Sequence, residues 1–242
     1  MGKLKIDLDK VAAEYHLSLG AQNKDFDAMF HKMCLEWIQP MVLQSRSILQ
    51  LGYGEGILAA ALISQDAVMD IIEGSSILAS HAKEKLPKNV SVHNQMFEEF
   101  CPTKLYDCIV ATNVLEHVDD PIEILRLMHS WLSPEGLAIV TVPNAESLHR
   151  RLAVEMKIQN SIYALSERDY VVGHQRVYDM SSLVNQVHTA GFKIRERRGF
   201  VLKILANAQQ NLMSEEMITA FHTISPLLEP EITANIGLVI SK

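Results

Sequence analysis

The sequence contains few cysteines and no apolar segment long enough to cross a membrane. Three cysteines occur, Cys34, Cys101 and Cys108, and they form no CxxC pair. Such an odd and widely spaced set argues against a disulfide framework and against a zinc site, so no metal is expected. Their apolar surroundings predict three buried, reduced thiols. No apolar run approaches the ~20 residues that a membrane-spanning helix needs, so no membrane insertion is expected.

An excess of positive charge is also absent. The net charge of −7 gives no general attraction to a phosphate backbone, so nucleic acid is not an expected partner. Residues 1–5 lack the apolar core of a signal peptide, which favours a cytoplasmic location. The 242 residues, 48% of them hydrophobic, are enough for one large α/β domain. A homodimer remains open.

Strand-like and helix-like segments alternate along most of the chain, and this predicts a mostly parallel sheet with helices on both faces. Strands are predicted at 47–51, 68–72, 90–93, 106–111, 137–142, 192–198 and 232–240. Helices are predicted at 22–39, 57–64, 76–86, 121–132, 181–190 and 206–224.

Two segments fall outside this alternation. Residues 1–40 precede the first strand and end with an amphipathic helix, just past which Pro40 lies, so we expect a helical N-terminal cap. Residues 144–178 are polar, irregular and rich in His, Arg and Tyr. A stretch of this kind between regular elements is typical of a substrate lid. The prediction is a single domain over 1–242 with an inserted lid.

Three glycines, Gly52, Gly54 and Gly56, follow the first strand and open a helix. Glycine at this point allows a sharp turn and lets a ligand approach the backbone. Alone, the triplet is weak evidence, because a tight β–α turn without a ligand can have the same glycines. Glu73 ends the next strand, where a carboxylate can accept hydrogen bonds from ribose hydroxyls. Turn and carboxylate together favour a nucleoside-binding site.

The spacing of the glycines separates two kinds of nucleoside site. A dinucleotide fingerprint would place its third glycine at position 57, which is Ile57, whereas the glycine lies at 56. The GxGxG form resembles motif I of the class I S-adenosylmethionine-dependent methyltransferases. Residues from about 47 to 200 resemble the small-molecule, ubiquinone-biosynthesis-like branch, and the matching segments are 106–110, 113–118, 132–137, 142–145 and 173–178.

This resemblance implies a Rossmann-like, seven-stranded sheet whose last strand is antiparallel, with S-adenosyl-L-methionine as cofactor and S-adenosyl-L-homocysteine as product. The residues implied at the cofactor are Gln50, Gly52, Tyr53, Gly54, Gly56, Glu73, Gly74, Ser75, Gln95, Met96, Phe97, Asn113 and Val114. Gln50 departs from the family, which usually has Asp or Glu there. A neutral amide can form hydrogen bonds but does not offset the cofactor's positive charge.

Methyl transfer to a hydroxyl is helped by a general base, and histidine suits that role at neutral pH. His117 and His174 are the candidates, although a packing or orienting role is open for each. His149 and Arg150 follow the fifth strand and could clamp an anionic group, or simply form a surface helix face. The full set of expected substrate-binding residues is Asn144, His149, Arg150, Tyr170, His174 and Arg176.

Three functions follow from these patterns. The leading one is transfer of a methyl group to an oxygen, less readily a nitrogen, of a small molecule such as a sugar, a carboxylate or a lipid or natural-product precursor. The second is a catalytically weak, methyltransferase-like binding or regulatory protein, which Gln50 favours. The third, a nicotinamide oxidoreductase, is disfavoured by Ile57.

Overall fold

A seven-stranded sheet forms the centre of the molecule. The computed structural model describes residues 6–17, 24–63, 67–205 and 213–242. The strands are β1 Ser47–Leu51, β2 Val68–Glu73, β3 Val90–Asn94, β4 Tyr106–Thr112, β5 Leu132–Pro143, β6 Lys193–Phe200 and β7 Asn235–Ser241. They lie in the order β3-β2-β1-β4-β5-β7-β6. Only β7 runs antiparallel to its neighbours, β5 and β6, which confirms the fold predicted from the sequence.

Helices cover both faces of the sheet. They are α1 Leu8–Val11, α2 Lys24–Val42, α3 Ile57–Leu62, α4 Ser76–Lys85, α5 Pro121–Trp131, α6 Leu148–Glu155, α7 Glu167–Val171, α8 Met180–Thr189 and α9 Glu215–Ile224. A π-helical turn, Ala12–His16, continues α1. Short 3₁₀ turns occupy Phe97–Glu99, Ser225–Leu227 and Pro230–Ile232.

Two apolar cores lie on opposite faces of the sheet. One packs α5 and α8 against it and includes Leu125, Met128 and Leu183. The other packs α2, α3 and α4 against the opposite face. Because the central strands are covered on both sides, β4 has an almost continuous run of buried residues.

The order of the strands determines where a site can form. The parallel strands β1, β2, β4 and β5 end at one edge of the sheet, and the segments that follow them converge there. In open sheets of this kind, ligands bind in the crevice outside the carboxyl ends of the strands. The glycine turn after β1, Glu73 at the end of β2, and Asn113 after β4 all lie at this edge.

Several predicted boundaries were wrong. Helix α2 continues through Pro40 to Val42. A proline this close to the end of a helix removes only one backbone hydrogen bond, and the extra turn buries Val42 fully in the core. Strand β5 begins at Leu132 instead of 137, and its pairing with β4 shifts register between Tyr106 and Cys108. The predicted helix residues 22–23, 64 and 206–212 lie outside the described residues.

The segment 144–178 is more ordered than its polar composition suggested. It contains α6 and α7, and the second begins with a capping box in which the Ser166 hydroxyl accepts from the Asp169 backbone N–H. The prediction of three buried thiols was also wrong at one position: Cys101 is exposed, whereas Cys34 and Cys108 are buried. Among the described residues, no helix has the length and apolar character needed to cross a membrane.

Candidate active site

A cavity of about 1770 Å³ opens at the carboxyl edge of the sheet. Ligand pockets for small molecules are commonly about 300–1,000 Å³, so this cavity has room for more than one ligand. Every cofactor residue expected from the sequence lines it. The wall also includes His117, His149, Arg150 and His174 from the predicted catalytic and substrate sets.

The glycine turn has the backbone conformation that requires glycine. Gly52, Gly54 and Gly56 have φ values of 75°, 57° and 78°, all in the left-handed region. A Cβ at Gly54 would meet no atom within 4 Å, so the backbone is open to a ligand there. At Gly56 a Cβ would instead clash with the ring and hydroxyl of Tyr53, which is buried beside it.

Glu73 is tied to the same turn. Its Oε2 accepts a hydrogen bond from the Tyr53 backbone N–H at 2.8 Å, and its Oε1 accepts from the Ser75 N–H at 2.7 Å. Burial raises the pKa of this carboxyl, and the backbone hydrogen bonds oppose the rise. The two contacts fix the carboxylate on the cavity wall at the end of β2, where ribose hydroxyls could donate to it.

The Gln50 side chain forms a hydrogen bond to the glycine turn. Its Nε2 donates to the Gly52 carbonyl oxygen at 2.8 Å. Its Oε1 is buried and accepts no hydrogen bond from any described residue. A buried acceptor without a partner is costly unless a ligand satisfies it. The amide therefore has one atom committed to the turn and one available to a ligand.

Asn113 occupies a strained position after β4. Its φ is 52°, a conformation that residues other than glycine rarely adopt. Its backbone N–H donates to the Thr141 carbonyl oxygen at 2.9 Å, and its Oδ1 accepts from the Thr141 hydroxyl at 3.2 Å. Asn235 of β7 also donates to that Oδ1. Three strands thus fix this residue on the cavity wall.

The segment after Asn113 places two histidines against each other. The rings of His117 and His174 are perpendicular, with centroids 4.6 Å apart. Burial and, to a smaller extent, the nearby His174 together lower the pKa of His117 to about 3. His117 is therefore neutral at pH 7.

Glu116 lies close to these rings and is fully buried, with both carboxylate oxygens unpartnered in the part of the chain that is described. Burial raises the pKa of Glu116 to about 7. One carboxylate oxygen of Glu116 and one ring nitrogen each of His117 and His174 lie within 4.8 Å of one another, and this group could hold a metal ion. The spacing of the cysteines argues only against a zinc site made of cysteines. It does not exclude a metal site made of one carboxylate and two imidazole rings.

His174 is oriented by a buried ion pair. Its Nδ1 lies 2.7 Å from Asp169 Oδ1, and Asp169 Oδ2 accepts from an Arg150 Nη at 3.0 Å. Burial alone would raise the pKa of Asp169, but hydrogen bonds from His174 and Ser166 outweigh it and hold the pKa well below its usual range. Arg150 also donates to the carbonyl oxygens of Ile162 and Ala164. The contact with Asp169 thus fixes which ring nitrogen of His174 remains available.

The other predicted substrate residues have different surroundings. Asn144 is buried and donates to the carbonyl oxygens of Glu231 and Thr233, so its amide joins the lid to the segment before β7. Arg176 donates to the carbonyl oxygens of Leu115 and Val118 and so supports the loop that carries His117. Tyr170 is exposed on the outside of α7. These three residues are not on the cavity wall.

The N-terminal segment closes the cavity from another side. Asp9 accepts hydrogen bonds from the hydroxyls of Ser75 and Ser76, at 2.7 and 2.6 Å, at the start of α4. Arg168 of α7 donates to the Tyr15 hydroxyl and, at 2.8 Å, to Asp27 of α2. The π-helical turn Ala12–His16, α2 and α7 therefore meet around the Arg168 guanidinium.

The sequence analysis missed several residues of this site. Asp169 had a usable signal, because Ser166 followed three residues later by Asp169 is a helix-capping pattern within the predicted lid. Lys203 follows β6 and lines the cavity, but no motif in the sequence marks it. Glu116 lies inside the motif at 113–118, where the sequence predicts a functional role only for its neighbour His117.

Comparison with known proteins identifies the family of the chain. A family described as a methyltransferase domain matches residues 23–197. The chain is 22% identical to the ubiquinone biosynthesis O-methyltransferase of Acinetobacter baumannii strain AYE, over 82% of this chain and 88% of that protein.

Two solved structures share the fold. One is an S-adenosylmethionine-dependent methyltransferase from Mesorhizobium loti, with a TM-score of 0.64, 15% identity, and coverage of 90% of this chain and 100% of the other. The second is the N-methyltransferase NodS from Bradyrhizobium japonicum WM9 in complex with S-adenosyl-L-homocysteine, with a TM-score of 0.60, 12% identity and 97% coverage of both chains. At such identities these matches establish the fold alone.

Proposed function

The chain belongs to the class I S-adenosylmethionine-dependent methyltransferases, and from that premise we propose that it methylates an oxygen of a small molecule. One observation carries the proposal: His174, oriented by Asp169, lies in the same cavity as the glycine turn and Glu73. A base is useful for a hydroxyl acceptor, and the Acinetobacter relative is an O-methyltransferase by name. Transfer to nitrogen is the weaker alternative.

The residues on the cavity wall fit S-adenosylmethionine. The unpartnered Gln50 Oε1 suits an amino group, the open backbone at Gly54 allows close approach of the methionine part, and Glu73 suits the ribose. Gln95, Met96 and Phe97, which follow β3, would flank the adenine. Asn113 and Val114 would contact the methionine part. Gly74 and Ser75 would lie beside the ribose.

When bound, S-adenosylmethionine would supply an electrophilic methyl group, which the acceptor oxygen would take while the S–C electron pair would stay on sulfur. The protein's part is to align the acceptor, exclude water and receive the hydroxyl proton. Because His174 Nδ1 faces Asp169, its Nε2 is the atom we assign to that proton. His117, neutral and adjacent, would position the same oxygen.

We further propose that residues 1–40 act as a cap and residues 144–178 as a lid over this cavity within one domain. The shared contacts of Arg168 with Tyr15 and Asp27 support that arrangement. A cytoplasmic location and a homodimer stay predictions. Fractionation and light scattering would test them.

Calorimetry with S-adenosylhomocysteine tests the proposal first. We expect micromolar binding and no binding of NAD, and absence of S-adenosylhomocysteine binding would contradict the assignment of the cavity. Turnover on candidate acceptors then tests the base. His174→Ala should lower kcat by about 10²–10⁴-fold while leaving the affinity for S-adenosylhomocysteine unchanged. His129→Ala, on α5 beside Phe192 and away from the cavity, is the matched control. Full turnover in His174→Ala would refute its role.

A further inference from the structure

Three side chains from two separate segments come together beside the cavity. Glu116 and His117 follow β4, and His174 follows α7. One oxygen of the carboxylate and one nitrogen of each imidazole ring lie within 4.8 Å of one another. Ligand atoms that bind one transition metal ion at about 2.0–2.2 Å are about 3–4 Å apart in a tetrahedral site. The three atoms are therefore close enough to share one ion after small movements of the side chains.

The Glu116 carboxylate has no hydrogen-bond partner in the described part of the chain. The residue is fully buried, and neither of its carboxylate oxygens accepts a hydrogen bond there. Arg176 is a nearby cation, but its guanidinium donates to the carbonyl oxygens of Leu115 and Val118. A buried charge is costly unless it is paired or coordinates a metal ion. An ion held between Glu116 and the two imidazole rings would remove that cost.

Both imidazole rings have the supporting contacts that metal-binding histidines usually have. Such a histidine commonly donates the N–H of its second ring nitrogen to a carboxylate or a backbone carbonyl, which fixes the orientation of the ring. The Nδ1 of His174 lies 2.7 Å from Asp169 Oδ1, so its Nε2 is the nitrogen left for an ion. Hydrogen bonds to the backbone of Val172 and Gly173 hold the His117 ring. The two rings are therefore oriented before any ion binds.

The backbone around the cluster joins the two segments. The Gln175 backbone N–H donates to the Glu116 carbonyl oxygen at 2.8 Å, and Gln175 Nε2 donates to the His117 carbonyl oxygen at 2.7 Å. His117 and His174 line the cavity, whereas Glu116 lies behind the wall. An ion bound by all three would therefore have its open side toward the cavity. Three protein ligands with one open position are typical of exchangeable or catalytic metal sites, since structural sites are closed by four.

We propose that Glu116, His117 and His174 bind a divalent transition metal ion of the Zn²⁺ type on the cavity wall, and that the bound ion inhibits methyl transfer. Two imidazole rings and one carboxylate suit Zn²⁺ or Co²⁺, whereas Mg²⁺ and Ca²⁺ prefer oxygen ligands. The inhibition rests on the proposed function. The ion and the proton of the acceptor hydroxyl both need His174 Nε2, so the binding of one excludes the other.

Visible absorption of bound Co²⁺ tests the site without any substrate. Protein stripped with EDTA is titrated with Co²⁺, and we expect one equivalent to give saturable d–d bands that Zn²⁺ abolishes and Mg²⁺ does not. Glu116→Gln, which keeps the volume of the side chain, and His174→Ala should each weaken Co²⁺ binding by about 10- to 100-fold or more. Glu123→Gln and His129→Ala, both on α5 and not on the cavity wall, are the matched controls and should bind like the wild type.

Two results would overturn the site. Equal Co²⁺ affinity in the wild type, Glu116→Gln and His174→Ala would mean that the ion binds elsewhere. Displacement by Mg²⁺ as effective as that by Zn²⁺ would contradict the proposed class of ion. Circular dichroism checks that each variant is folded, and His174→Ala alone decides the outcome if Glu116→Gln does not fold.

A second experiment tests the inhibition. Stripped protein is incubated with methyl-tritiated S-adenosylmethionine and a small-molecule extract, with and without saturating Zn²⁺. We expect Zn²⁺ to lower the transfer of label by about 10²-fold or more, as loss of a general base would, and EDTA to restore it. Calorimetry should show the same affinity for S-adenosylhomocysteine with and without the ion. Undiminished transfer by the Zn²⁺-bound protein would overturn the inhibition. Failure of the stripped protein to bind S-adenosylhomocysteine would instead overturn the proposed function, while the Co²⁺ titration would still decide the metal site.

Discussion

Residues 47–75 enclose one side of the cavity with backbone, whereas residues 149–203 enclose the other side with charged and imidazole side chains. In the first region a short continuous segment holds three left-handed glycines, and backbone N–H groups fix Glu73. In the second region Arg150, Asp169 and His174 come from separate segments and hold one another through hydrogen bonds, and Lys203 lines the same cavity. A site built from local backbone has a local sequence pattern, and a network of distant side chains has none.

The largest effect should come from breaking the buried ion pair on the side-chain side. Asp169→Ala leaves Arg150 charged and buried, which should lower the free energy of unfolding by about 3–5 kcal/mol. Urea denaturation at pH 7 measures this. Glu167→Ala, at an exposed neighbouring residue, should change the free energy of unfolding by less than about 1 kcal/mol. Equal losses of stability in both variants would show that the Arg150–Asp169 pair stabilises the fold no more than an exposed residue does.

The same variant has a defined pH dependence. The pKa of Asp169 is lower in the folded protein than in the unfolded chain, so its contribution is complete above the unfolded value of about 4 and is lost as the pH falls below it. The difference in stability between wild type and Asp169→Ala should therefore shrink on acidification. A difference that grows would contradict the lowered pKa.

The next effect should come from the glycine turn. Gly56→Ala places a methyl group in a left-handed position against the buried Tyr53, and should cost roughly 2–4 kcal/mol of stability. Gly54→Ala, with no atom near its Cβ, is the matched control and should cost only roughly 1–2 kcal/mol. Equal costs would mean that the Tyr53 contact is not sterically limiting. Thermal unfolding measures both.

Glu73→Ala tests whether the side of the cavity formed by residues 47–75 binds the cofactor. Loss of charged hydrogen bonds to the ribose should weaken S-adenosylhomocysteine binding about 10- to 100-fold, as measured by calorimetry. Glu84→Ala, exposed on α4, should bind normally. Since burial raises the pKa of Glu73, wild-type affinity should also fall as the pH drops through that raised value. Unchanged affinity in Glu73→Ala would refute the assignment.

The smallest effect concerns the other ion pair of the lid. Arg168 and Asp27 have side chains that are 35% and 38% exposed, so Arg168→Met should cost only about 0.2–1 kcal/mol. Its affinity for S-adenosylhomocysteine should also stay close to that of the wild type. A loss as large as that of Asp169→Ala would remove the distinction between the two pairs. Urea denaturation of both variants side by side decides this.

The same contrast explains which features of the fold and of the site could be predicted from the sequence. The seven strands and the cavity-lining positions from Gln50 to Val114 were predictable, because alternation and glycine spacing are local signals. The contact of Asp169 with His174 and the position of Lys203 were not, since they depend on how α7 packs and where β6 ends. Arg150 was expected to hold a ligand, but its guanidinium is occupied by Asp169 and two carbonyl oxygens.

The position of β7 has a consequence for how the chain is assembled during synthesis. In the described sheet, β6 pairs with β7 alone, and β7 inserts between β5 and β6. When the ribosome has released residue 200, β6 still lacks its partner, and its open edge can pair with another nascent chain. Asn235, which donates to the strained Asn113, emerges with that same late strand. Closing the sheet and completing the cavity wall are therefore one event, and chaperone demand should be highest just before it.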